Sequence, residues 1–339
     1  MYWDMLAGFV EDDVDEFGFE EFSMGEMGIS RPPESEGSPT VDGTEKVFPH
    51  PWTGVAPRVF ELFAQVGRLI RRYRTSIAHD TRSLNFLSLE LGFDMEFPQE
   101  SLATIEATMK AQSLEEELLS FSPPSATNLV DAGDINTPVQ QYLILAEAFR
   151  CAALLEIYRV FPSILYKRVP LTNEFMASTA EMDQLSSILP IPNTQAPDSF
   201  LVSLAMHTLS LLELLPSISG TRCLQPIIFI CAASELRFAS PSTPFNPTSL
   251  SDPLSASNFF LAPTSTSAMF NSLTSREVDI AAARRFAKAR LQEYQSSLPA
   301  KPVIKALQLV QETWERADLG QDVYWMGVMD EMGWNTIFG

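Results

Sequence analysis

The most constraining feature of this chain is the stretch from Thr137-Pro138 to Phe161, whose apolar residues fall on every side of a helical cylinder. Tyr142, Leu145, Ala146, Phe149, Ala152, Ala153, Leu155, Ile157 and Tyr158 leave little of its circumference for water, so other elements must cover it. Its ends are punctuated. Thr137 can accept from free N–H groups, Pro138 suits the first helical position, and Pro162 stops the run. A central, mostly buried helix demands an α architecture with enough chain around it.

Further helical periods supply that surround. Val59, Leu62, Phe63, Val66, Ile70 and Tyr73 follow Pro57 at one-face spacing and predict a helix over 57–76, with Arg68, Arg71, Arg72 and Arg74 on its other side. A second runs from Pro98 through Leu102, Ile105, Met109, Leu114 and Leu118, ending before Pro123-Pro124. After a connector at 190–198, a helix over 199–215 has N-cap candidates in Asp198 and Ser199 and ends at Pro216. The loop Ser219-Gly220-Thr221-Arg222 then leads into a helix over 225–238, although 224–231 is apolar enough to leave a strand open. Three helices close the chain. One starts at Ser275 with Glu277 and Asp279 in its first turn and runs to about Leu298; Pro302 opens the next; Asp322 caps the last, which Gly333 ends. No sustained period-2 pattern and no repeat competes, so the expected fold is all-α, an irregular helical bundle or array.

Composition divides the chain in two. Within residues 1–45 thirteen carboxylates face a single cation, Arg31, and are interleaved with Tyr2, Trp3, Phe9, Phe17, Phe19 and Phe22. Like-charge repulsion keeps such a stretch expanded, so a disordered acidic-aromatic segment and linker is expected at 1–45, ahead of a helical domain at 46–339. The segment reads either as an activation segment that folds onto a basic, grooved partner through Trp3, Phe9, Phe17, Phe19 and Phe22, or as a solvated acidic tail. Residues 240–273, rich in Ser, Pro and Thr, read as a long exposed loop or a disordered insertion.

The same arithmetic excludes several functions. With 23 Lys and Arg against 43 Asp and Glu, the formal charge is -20, so direct nucleic-acid binding is not expected: phosphate neutralisation needs cations. The Arg68–Arg74 cluster is too small to reverse that field and reads as a solvated face or a clamp on carboxylates. Apolar stretches are too short to cross a bilayer and the N-terminus lacks a signal-peptide pattern, which predicts a soluble intracellular protein. Three cysteines, Cys151, Cys223 and Cys231, make no disulfide scaffold, and neither C-x2-C nor H-x3-H occurs, so no metal site is expected.

Catalytic motifs are missing too. No G-x-S-x-G elbow or Gly-rich phosphate loop is present, so no catalytic residue is assigned and the chain reads as a non-enzyme. His207, on an apolar helix, is a hydrogen-bonded core histidine or a general base. His50, in Phe48-Pro49-His50-Pro51-Trp52, belongs to a stiff segment expected to pack Trp52 on the first helix. Tyr324, Trp325, Met326, Met329 and Trp334 form a core stripe or a cofactor box. The alternative to a regulatory protein is an all-helical small-molecule binder or enzyme, with a candidate effector pocket at His207, Arg222 and Glu235, or a non-transcriptional interaction scaffold.

Several blocks carry a family likeness: 48–57 (FPHPWTGVAP), 146–155 (AEAFRCAALL), 219–222 (SGTR), 232–238 (AASELRF), and the ending 322–339 with Asp322-Val323-Tyr324-Trp325-Met326. In this order they resemble the fungal-specific transcription factor domain, in the branch of arginine-metabolism-regulator-like zinc-cluster proteins, over about residues 46–339. The resemblance implies an all-helical regulatory domain of nuclear proteins that control metabolic genes. Its partners would be the transcription machinery or a zinc-cluster-containing relative, with oligomerisation left open. In the family a binuclear zinc cluster held by six cysteines reads DNA. Three scattered cysteines cannot form it, so no zinc or other cofactor is expected in this chain. Gly327 also stands where the relatives resembled would carry an acidic residue.

Overall fold

The computed structural model describes residues 46–50, 54–91, 102–131, 133–168, 197–238 and 274–334. The segment 1–45 with its five aromatic candidates, the Ser/Pro-rich stretch 240–273 and Trp52 lie outside the described residues. Among the described residues nine α-helices and two 3-10 turns make up the regular structure, and β pairing is confined to two isolated bridges, Val47 with Leu129 and His50 with Gly54. The fold is all-α.

The helices are α1 (Pro57–Leu91), α2 (Leu102–Ser120), α3 (Val139–Val160), α4 (Pro162–Arg168), α5 (Pro197–Glu213), α6 (Gln225–Ser234), α7 (Ser275–Tyr294), α8 (Ala300–Asp318) and α9 (Trp325–Glu331). Helix α3 lies at the centre, between α1 and α2 on one side and α5 and α6 on the other. Fourteen of its residues are buried, as its apolar circumference requires. A second buried axis is α6, nine of whose ten residues are inaccessible; it packs on α5, α8, α3 and α7. The ambiguous 224–231 stretch is therefore helical. Helix α9 closes the array against α8 and α6.

Burying α6 raises a polar problem at its end, because the last carbonyls of a helix have no partner within it. Two side chains from later helices answer it. The Trp314 indole N–H donates to Ala233 O (2.6 Å), and Arg284 donates to Leu236 O through Nε (2.9 Å) while pairing with Asp318. At the other end, Ser219 donates to Gln141, Gln225 donates to Thr221 Oγ1 (3.1 Å), and the Tyr294 hydroxyl donates to Gln225, which threads a buried polar chain from α3 to α7.

Several boundaries differ from the sequence expectation. Helix α1 continues past Ser76 to Leu91, because no Gly or Pro occurs between Ser76 and Gly92 although its apolar period fades. Helix α2 is described from Leu102; its expected start at Pro98 lies outside the described residues. Thr137 does not cap α3; Pro138 holds the N-cap position, and Thr137 Oγ1 instead accepts from the Gly220 amide at 2.9 Å. Pro162 ends α3 as expected and also opens α4, since it lacks the amide that a first helical position leaves unused. Helix α5 starts at Pro197, which places Asp198 and Ser199 in its first turn. Helix α6 stops at Ser234, four residues early.

Thr274, one residue before Ser275, caps α7 in a reciprocal capping box with Glu277, and α7 ends at Tyr294. Helix α8 begins at Ala300, leaving Pro302 in its tolerant first turn. Helix α9 has Tyr324, not Asp322, at its N-cap position. Its end is as expected: Gly333 takes φ +63°, and the amides of Gly333 and Trp334 return to Asp330 O and Met329 O.

Candidate functional site: a buried ionic junction

Three segments distant in sequence meet where α3 ends. Helix α3 brings Glu156 and Arg159, three residues apart and so on one face; the exit from α6 brings Glu235 and Arg237; the strap before α9 brings Asp322 to Trp325. Glu156 and Glu235 are buried while Asp322 stands at the solvent edge, and a buried charge persists only when paired. Arg159 and Arg237 both grip the strap, each donating to Asp322 Oδ1 and to the Val323 carbonyl. Behind them lies Glu235, 4% exposed, 3.2 Å from Arg159 Nε and 3.5 Å from Arg237. Two guanidinium groups and two carboxylates thus balance in charge. Burial pushes the Glu235 carboxyl up, against the pull of Arg159 and Arg237, and Asp322 and Asp198 push the same way as burial. Partial desolvation raises Asp322, but its hydrogen bonds from Arg159 and Arg237 prevail and hold it below its ordinary value.

Glu156 sits one helical turn deeper without such a cation. Its Oε1 accepts from the Trp325 indole at 2.9 Å, and its other oxygen accepts from the Tyr324 hydroxyl. The Cys231 thiol is a third hydrogen-bond partner. Burial outweighs these hydrogen bonds and, with Glu235 nearby, pushes the Glu156 carboxyl up to about 7. Outside this ring, Arg74 of α1 lies over the Tyr324 ring (5.3 Å to the centroid) and reaches Asp330 at 3.5 Å. It acts as a clamp on a carboxylate, one of the two readings of the arginine cluster. The junction therefore docks α9 onto α1, α3 and α6, and its carboxylic acid changes charge near neutrality inside a sealed site.

The residues proposed for an effector pocket occupy separate surroundings. His207 of α5 faces Glu147 and Cys151 of α3. Arg222, in the 3-10 turn Gly220–Leu224, donates to Ser219 O at 3.1 Å. Glu235 belongs to the junction. Glu147 and Arg159 lie twelve residues apart on α3, roughly 18 Å along its axis, which separates the neighbourhoods of His207 and Glu235. Tyr324, Trp325, Met326 and Met329 are largely core, and Trp334 packs at the edge beneath Lys305. Cys231 is buried and Cys223 half-buried.

Glu156, Arg159, Arg237 and the pairing role of Asp322 were missed by sequence reading. The available signal was the presence of Glu147, Arg150, Glu156 and Arg159 on a helix with almost no wet face, since each then needs a partner from elsewhere.

The blocks 232–238 and 322–326 that carry the family likeness meet at this junction. The model of the fungal specific transcription factor domain matches residues 1–237 and 272–339. The chain belongs to this family, one of transcription factor domains rather than of enzymes. The match begins in the acidic head and breaks across most of the Ser/Pro-rich stretch. Comparison with curated proteins and with solved structures gave no match. No helix among the described residues is long and apolar enough to cross a membrane.

Proposed function

We propose that this chain is a nuclear transcription-regulatory protein that works through contacts with protein partners, either the transcription machinery or a zinc-cluster-containing relative, and takes its hold on DNA from such a partner. Family membership over residues 1–237 and 272–339 carries this reading. Two features support the division of labour. A formal charge of -20 opposes phosphate binding, and three dispersed cysteines cannot supply six thiolates to a binuclear cluster. In this reading residues 1–45 are the activating element. Trp3, Phe9, Phe17, Phe19 and Phe22 supply the apolar contacts and the carboxylates steer the segment to a basic groove. The helical body presents that element and makes the pairing contacts.

The test has two arms. Residues 1–45 fused to a heterologous DNA-binding domain are expected to drive a reporter, and replacing the five aromatics by Ala is expected to silence it. A silent fusion, or one indifferent to those replacements, removes the activating role. Purified full chain is expected to show no selective retention of duplex DNA at near-physiological salt; tight, selective binding by the chain alone would overturn the borrowed-DNA reading.

A further inference from the structure

Away from the junction, α3 and α5 bring together three side chains with the donor set of a transition-metal site. Glu147 and Cys151 are four residues apart on α3, one above the other on the same face, and His207 approaches from α5, the helix that packs most extensively against α3. One carboxylate oxygen, the thiol sulfur and one imidazole nitrogen all lie within 4.8 Å of one another. We propose that Glu147, Cys151 and His207 form a binding site for a first-row divalent transition ion of borderline softness, with zinc as the native fit, which staples α3 to α5. The site stands independently of the transcriptional reading.

Geometry carries the proposal. Bonds of about 2.3 Å to sulfur and about 2.1 Å to oxygen set the S···O edge of a tetrahedral zinc site at about 3.6 Å. Cys151 Sγ and Glu147 Oε1 already stand 3.6 Å apart. The edges to nitrogen would be about 3.4 to 3.6 Å, so small side-chain rotations suffice to bring His207 into place. One sulfur, one nitrogen and one oxygen suit zinc or cobalt and disfavour magnesium and calcium, which take oxygen alone. Cys151 is buried, while Glu147 and His207 are only half-buried, so an ion can enter from solvent and water can complete a fourth position.

Arg150 belongs to the arrangement. Its Nε and Nη2 donate to Glu147 Oε2 and Oε1 at 2.8 and 2.6 Å. On metal binding Oε1 would exchange Nη2 for the ion while Oε2 keeps the Nε bond, which leaves Arg150 as the group that orients the ligand. The Cys151 S–H proton leaves to solvent as the metal–sulfur bond forms. Ion, thiolate and carboxylate then sum to zero charge beside the retained guanidinium.

The test uses the reduced, chelator-treated full chain titrated with Co²⁺ and then with Zn²⁺. One equivalent of Co²⁺ is expected to produce a thiolate-to-cobalt charge-transfer band, which Zn²⁺ abolishes by displacement. Cys151→Ser should remove the band, His207→Ala should weaken Co²⁺ binding at least about ten-fold, and Cys223→Ser should change neither. Absence of the band in the parent chain, its persistence in Cys151→Ser, or a loss smaller than about ten-fold in His207→Ala would each overturn the site. Should Cys151→Ser not fold, the half-buried His207→Ala variant decides alone.

Discussion

Trp325 donates its indole N–H to Glu156 across 2.9 Å in the interior of the protein, joining the first residue of the last helix to the central one. Among the described residues the acceptor has no guanidinium or ammonium hydrogen-bonded to it; Tyr324, Trp325 and Cys231 are its hydrogen-bond partners, and Glu235 acts on it as a like charge. A carboxyl in that position resists ionisation. Its folded value, about 7, lies above the ordinary 4.5. Between those values the folded state holds a proton that the unfolded chain has released, so this group's contribution is fully present below about 4.5 and is lost as pH rises through about 7. A shift of that size corresponds to about 3 kcal/mol. Glu156→Gln keeps an acceptor for Trp325 and removes the titration. Urea unfolding is expected to find the variant close to the parent at pH 5 and more stable than it at pH 8; parallel profiles over that range would contradict the assignment.

Arg159 is the more costly residue of the same junction to remove. Its guanidinium neutralises Glu235, which is 4% exposed, and holds the Asp322–Val323 strap. Arg159→Ala leaves a buried carboxylate with only Arg237 beside it, and removal of one partner of a buried pair costs about 3–5 kcal/mol. Adding Glu235→Gln should recover part of that loss, because the uncompensated charge disappears. Denaturation of the single and double variants measures the coupling. If the double variant loses as much as the two singles added together, the ion pair is not what links them.

How much of this could be read from the sequence depends on whether the signal was local. The central position of α3 followed from its apolar circumference, and Pro162 and Gly333 marked real ends because a missing amide and a left-handed residue act within one turn. Asp322 misled because an acidic residue before a helix looks the same whether it caps that helix or, as here, accepts from Arg159 and Arg237. Thr137 misled in the same way, its hydroxyl serving the Gly220 amide rather than its own helix. His207 was visible as an oddity on an apolar helix. Its neighbours Glu147 and Cys151 were not, since nothing in one helix records the register at which another packs against it.

Gly220 is fixed by close approach. A Cβ built there would stand 2.5 Å from Thr137 Oγ1, the atom that accepts the Gly220 amide at 2.9 Å. Gly220→Ala must push Thr137 away and break that bond, which also disturbs the buried chain from Ser219 through Thr221 and Gln225 to Tyr294. A loss of about 1–3 kcal/mol is expected. Thr137→Ala relieves the contact but leaves the amide unsatisfied. Thermal unfolding of Gly220→Ala in the Thr137→Ala background should therefore show a smaller penalty than in the parent, and an equal penalty would place the strain elsewhere.

Gly327 offers the opposite case, a glycine the structure does not need. It lies within α9 without a positive φ, and a Cβ there would meet the end of the Arg74 side chain at 3.3 Å, a flexible group that can yield. Arg74 already reaches Asp330 at 3.5 Å and covers Tyr324. An acidic side chain at 327 would face the same guanidinium, in keeping with the acidic residue that the family resemblance leads one to expect at this position. Replacing glycine in a helix interior gains roughly 0.5–1 kcal/mol, and a partly exposed ion pair adds about 0–1 kcal/mol. Gly327→Glu is therefore expected to raise the denaturation midpoint, and about half of that gain should vanish in high salt or in an Arg74→Gln background. If Gly327→Ala matches Gly327→Glu at low salt, the gain comes from the backbone alone and Arg74 takes no part in it.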